Sequence, residues 1–96
     1  MFLITITINS GQVPTEQAEE LLANHRAWFT SQFEAGHFKI VGPLKDKGMA
    51  GIVIAKVASR EALDEIIAQD AYYPDLASYD VAEFKANLVA NDITGD

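Results

Sequence analysis

His25 and Asp70 each stand where an apolar residue is due. His25 lies inside a stripe of apolar side chains at helical spacing, and Asp70 falls one step beyond the end of a second such stripe. A buried carboxylate carries a large desolvation cost unless a partner offsets it, and an imidazole is a suitable partner. If both helices pack on one sheet, the two side chains can meet. Asp70 would then orient the ring and leave its other nitrogen free to take or give a proton, as a general acid/base does. The same residue types also allow a structural ion pair, or a histidine bonded to backbone beside an aspartate that caps its own helix end. Spacing alone leaves these alternatives open.

Several neighbours are candidates for a pocket beside such a dyad. Trp28, one helical turn past His25, offers an aromatic wall, or else plain core. Tyr72 and Tyr73 follow Asp70 closely, where a phenol can reach a substrate or simply pack in a proline turn. Gly42 and Pro43 end a strand, and a glycine there permits close approach of a ligand or another chain as well as an ordinary turn. Lys45 and Lys47 are the densest positive charge, placed either to draw in an anion or merely to solvate a loop tip. His37 is the second histidine, and the pair lacks close metal-ligand spacing, so no metal site is expected. No nucleotide-loop, zinc-protease or nucleophile-elbow motif occurs, and no cofactor is expected.

The elements that must position these residues read clearly. Phe2, Ile4, Ile6 and Ile8 alternate with Leu3, Thr5, Thr7 and Asn9, the period of a strand. Thr15 is the expected N-cap of a helix running to about Glu34 and stopped by Gly36, with Ala18, Leu21, Leu22, Trp28, Phe29 and Phe33 as its buried stripe. HFKIVGPL then reads as a strand, LKDKG as a polar turn and MAGIVIAKV as a strand apolar on both faces. Ser59 caps a second helix that buries Leu63, Ile66 and Ile67. Pro74 breaks the chain before a last strand, SYDVAEFKANLV, and the tail NDITGD is expected to fray.

This β-α-β-β-α-β order predicts an α+β, ferredoxin-like domain from end to end, two helices covering one face of a four-stranded antiparallel sheet. The first and third strands, the most apolar, belong in the middle. The second and fourth carry Lys39, Asp80, Glu83 and Lys85, as edges tolerate. The uncovered face is predicted to be partly apolar, with Val53, Ala55, Val57, Leu3 and Phe84 assigned to it. A second copy packing sheet on sheet is the simplest cover, so a homodimer is expected.

Composition narrows the function classes. Ninety-six residues suit one domain, and the absence of cysteine removes disulfides, thiolate metal sites and cysteine nucleophiles. Seven basic against fourteen acidic residues give a net charge of −7, which opposes binding to nucleic acid or anionic membrane. Apolar runs such as GIVIA fall far short of the roughly 20 residues of a membrane span. The opening MFLITITI alternates like a strand and lacks the basic start of a secretory signal, which sets the expectation of a cytoplasmic protein.

The order and spacing of several short motifs resemble the YCII-related domain proteins, small dimeric α+β barrels. The motifs are FLITITI, the histidine in ANHRAWFTSQFEAGHF, the Gly-Pro of KIVGPL, the glycine-containing hairpin before GIVIAKV, and the aspartate in EALDEIIAQDAYY. The resemblance implies that His25 and Asp70 are the active-site pair. It also implies proton abstraction from small, often aromatic-derived substrates, as in dehydrochlorination of a chlorinated hydroxyhydroquinone or in muconolactone isomerisation, with cofactor-free monooxygenation as a third precedent. One departure stands out: the family aspartate is commonly followed by proline, and Asp70 is followed by Ala71. The expectation is therefore a cofactor-independent lyase or isomerase acting on a small molecule through His25 and Asp70. A non-catalytic ligand-binding or assembly module of the same fold is the alternative.

Overall fold

The computed structural model describes residues 1–93. Its regular elements are β1 (Phe2–Ile8), α1 (Ala18–Glu34), β2 (Phe38–Pro43), β3 (Ala50–Ala55), α2 (Arg60–Ile67) and β4 (Ala77–Glu83). The strands form one open antiparallel sheet in the order β2-β3-β1-β4, so the two most apolar strands are central and the charged ones are edges. This is the α+β, ferredoxin-like arrangement that the element order predicts.

Residues directly opposite in an antiparallel ladder share a face. The register sets Phe2 against Ala55, Ile4 against Val53 and Ile6 against Gly51, so one face of the sheet is formed by Phe2, Ile4, Ile6, Val53, Ala55 and Phe38. All but Gly51 of these are buried, in one cluster with Trp28 of α1 and Leu63, Ile66 and Ile67 of α2. Both helices therefore lie on that face. The opposite face carries Leu3, Ile40, Ile52 and Ile54 beside Thr5 and Thr7.

Four details depart from the sequence expectation. Val53 and Ala55 are fully buried in the helix-covered core, and the open face takes its apolar character from Ile52, Ile54 and Ile40 instead. A strand apolar on both sides gives no sequence signal for its register, whereas pairing with β1 fixes it. Second, the α-helix begins at Ala18: Thr15–Gln17 form a tighter turn whose N-cap position holds Pro14, which has no side-chain acceptor to offer. Third, the buried line of α1 is His25, Trp28 and Gln32, while Phe33 is 57% exposed. A step of four from Trp28 reaches Gln32, and Phe33 is turned a further 100° or so off the face. Fourth, β4 stops at Glu83 because that residue pairs with Phe2, the first residue of β1, and the ladder has no partner strand beyond it. Two further hydrogen bonds close it, Phe84 N–H to the Met1 carbonyl and the Met1 amino group to the Phe84 carbonyl. Of the tail expected to fray, residues 94–96 lie outside the described residues.

Candidate active site

Local sequence fixes where α1 and α2 present their polar residues. Gly36 has φ 86°, a conformation glycine adopts freely, and it ends α1 with two bonds: Gly36 N–H to the Phe33 carbonyl and His37 N–H to the Gln32 carbonyl, both at 3.0 Å. That cap turns the chain into β2. At the other helix, the Ser59 side chain accepts from the Ala62 N–H at 3.1 Å, which starts α2 and phases Leu63, Ile66 and Ile67 toward the core. Past the last turn, the Asp70 N–H bonds to the Ile67 carbonyl at 3.0 Å, and the carboxylate continues the buried line.

Trp28 sets the two helices in register. Its indole Nε1–H donates to the Ile66 carbonyl at 2.9 Å, in a buried position. One turn earlier on α1, His25 Nδ1 lies 2.6 Å from Asp70 Oδ1. Both residues are buried, and the Asp70 side chain is fully removed from solvent. Its second oxygen, Oδ2, accepts from the Tyr79 hydroxyl of β4 at 2.5 Å. An ionised carboxylate only accepts, so this set is self-consistent with the Nδ1 proton on the imidazole and the hydroxyl proton on the tyrosine. Burial, followed by the hydrogen bond to Asp70 and the negative charge there, pushes the Tyr79 phenol far above its ordinary range and keeps it a donor. Burial also raises Tyr72, with the Asp70 charge adding to the effect and Arg26 opposing it.

Aromatic rings enclose the imidazole. Phe29 meets it edge-on at 4.4 Å, Tyr72 lies at 4.8 Å, and Trp28 stacks at 5.9 Å. They pack around the imidazole, and the Asp70 side chain beside Nδ1 is fully removed from solvent. Nε2 makes no hydrogen bond among the described residues, yet no buried side-chain nitrogen or oxygen there lacks a partner. Nε2 therefore keeps some accessible surface, and His25 is one of the residues that line the neighbouring cavity.

That cavity has a volume of about 540 Å³, within the range of small-molecule sites, and opens between α1 and the β2–β3 hairpin. Gly42, Pro43, Lys45 and Lys47 line it together with His25. Trp28 and Tyr72 are not among the lining residues; Trp28 commits its N–H to α2, and Tyr72 backs the imidazole. Tyr73 is exposed, 6.0 Å ring to ring from Tyr79. His37 belongs to a separate network, with Nδ1 2.7 Å from Gln32 Oε1 while Gln32 Nε2 donates to Gln69 Oε1 at 3.4 Å.

Sequence reasoning missed Tyr79, Arg26 and Gln32. Tyr79 had a signal, since it stands two residues from Ala77 and two from Val81 on the helix-facing side of its strand. Arg26 lines the cavity beside His25 but reads from sequence as the wet side of the helix. A deeply buried glutamine has no pattern to announce it.

The model of the YCII-related domain matches residues 1–85 of the chain. Comparison with curated proteins gives no match.

Proposed function

The chain belongs to the YCII-related domain family, and from that premise we propose that it is a small cofactor-independent enzyme of lyase or isomerase type, with His25 as general acid/base and Asp70 as its orienting partner. The observation that carries this is the two-sided environment of His25. Nδ1 is held by a buried carboxylate, while Nε2 is left without a protein partner at a cavity of substrate size. With the proton on Nδ1, Nε2 presents a lone pair to a carbon acid in the cavity and afterwards returns the proton to a neighbouring carbon or to a leaving group. As the imidazole gains positive charge, Asp70 stabilises it at close range in a site that excludes water. Tyr79 positions Asp70 rather than the substrate, since its hydroxyl is committed to Oδ2. The walls are largely apolar, which suits a small and partly apolar substrate, including an aromatic-derived one.

The working form in this proposal is a cytoplasmic homodimer. Leu3, Ile40, Ile52, Ile54 and Phe84 leave apolar surface on or beside the open sheet face, and a second copy packed sheet on sheet would bury it. Light scattering at micromolar concentration should give twice the mass of one chain. A stable monomer would remove the dimer from the proposal.

The same network also favours a second reading, a structural lock, because His25, Asp70 and Tyr79 tie α1, the segment after α2 and β4 together. The test between the two is a substrate screen for proton exchange, run in deuterated water with small lactones, keto acids and hydroquinones. Deuterium uptake by a compound should require wild-type protein and be lost in His25→Ala. Uptake that survives in His25→Ala would leave the pair as a lock.

A further inference from the structure

Seven lysines and arginines serve the whole chain, against fourteen carboxylates. Three of the seven, Arg26, Lys45 and Lys47, line the cavity that holds His25, and no carboxylate is among its lining residues. Asp46, between the two lysines, is not part of the lining. The ion pairs among the described residues are His25–Asp70 and Arg60–Asp64. Among the described residues the three cations at the cavity therefore have no ion-pair partner, in a protein with a twofold excess of acids, any of which would offset them at a solvated surface. The rest of the lining is largely apolar and includes Ile6, Leu22, Phe29, Val41 and Met49.

From this arrangement we infer that the ligand of the cavity is a small organic carboxylate with an apolar, unsaturated or aromatic body. The body lies against Phe29 and Val41, and the carboxylate faces the rim of Arg26, Lys45 and Lys47. A guanidinium matches a carboxylate in plane and spacing, and two ammonium groups add charge without demanding geometry. A bare inorganic anion would engage the rim and leave the walls uncovered, whereas a neutral arene would do the reverse. The overall charge of −7 repels anions from the rest of the surface, so a local positive rim is what makes an anionic ligand workable. This inference rests on the proposed role of His25, because it sets the carbon next to the carboxylate-bearing body beside Nε2.

The test titrates full-length wild-type protein with benzoate and, separately, with benzamide, which has the same shape and no charge. Binding is read by calorimetry and by the His25 ring resonances. Benzoate should bind about tenfold more tightly than benzamide, a margin set by the summed rim charges and diminished by high salt. In the double variant Lys45→Gln, Lys47→Gln that margin should fall to about threefold or less through weaker benzoate binding, with the thermal midpoint unchanged. Equal affinity for the two probes, an unchanged margin in the double variant, no saturation by benzoate in the millimolar range, or equally tight binding of inorganic phosphate would each overturn the inference. The two levels of the account separate cleanly. A benzoate preference with no movement of the His25 resonances removes the dyad and leaves the ligand class standing. Movement of the His25 resonances by both probes at equal affinity does the opposite.

Discussion

His25 and His37 each bring Nδ1 to an oxygen on another side chain, 2.6 Å from Asp70 Oδ1 in one case and 2.7 Å from Gln32 Oε1 in the other. The distances are nearly the same, but the partners are not. Gln32 is neutral, and its amide N–H passes on to Gln69, so that chain of bonds ties the end of α1 to the segment after α2 with no net charge involved. Asp70 is a carboxyl group buried in the core, has both oxygens in hydrogen bonds, and faces an imidazole that lines a cavity. A network between an imidazole and side-chain amides is sufficient for a staple. A buried carboxylate paired with an imidazole beside a cavity is what the proposed proton transfer needs, and a functional role of that kind would account for a carboxylate kept in the core.

The largest expected effect that sharpens this contrast is kinetic. His25→Ala should lower kcat/KM by about 10²- to 10⁴-fold on a substrate identified by exchange, the usual worth of a positioned general acid/base. His37→Ala should stay within about twofold, as for substitutions outside the chemistry. Comparable losses in both would break the distinction between site and staple.

Stability should separate the networks less widely. Asp70→Ala strands the Tyr79 hydroxyl and the His25 Nδ1–H inside the core, and should lower unfolding free energy by about 2–3 kcal/mol in urea titrations. Gln32→Ala breaks bonds between neutral groups only and should lower it by about 1 kcal/mol. The reverse order would mean that the glutamine network, and not the charged one, holds the helices together.

The smallest effect is a pH dependence. The folded-state pKa of Tyr79 is raised above its ordinary 10.0, so the folded protein retains a proton that the unfolded chain gives up. The unfolded state then binds fewer protons. This contribution to stability is fully present below pH 10 and declines as pH rises from there toward the folded-state value. Tyr79→Phe should flatten that alkaline decline in thermal midpoint measurements, leaving the part due to Tyr72, which is raised in the same direction. An undiminished slope in Tyr79→Phe would detach Tyr79 from the charged network.

How much of this was legible in the sequence depended on whether a residue broke a pattern. His25 and Asp70 interrupt apolar stripes, and the stripes supply the background against which they stand out. The strand order followed from the apolar content of MFLITITI and GIVIA and the charged residues of the other two strands. The face of Val53 and Ala55 was not legible, because GIVIA is apolar on both sides and only its pairing with β1 decides which residues face the helices. Gln32 was hidden for a related reason, and so was the partner of Tyr79, although the helix-facing place of Tyr79 follows from the strand period. Each satisfies its polar group through a partner far along the chain or across an element boundary, and neither periodicity nor local propensity encodes such a partner. The rim was half visible: Lys45 and Lys47 draw attention as a charge pair, while Arg26 joins them only when α1 is laid over the hairpin.

In the proposed mechanism His25 carries its proton on Nδ1, toward Asp70, and leaves Nε2 as the open nitrogen. Long-range nitrogen–proton NMR reads the tautomer of both neutral histidine rings in one spectrum, with His37 as the internal control. The expected spectrum shows a protonated Nδ1 and a bare Nε2 for His25, with a strongly downfield Nδ1 proton that disappears in Asp70→Asn while the His37 signals stay in place. A His25 ring protonated on Nε2, or an Nδ1 proton indifferent to Asp70→Asn, would contradict it.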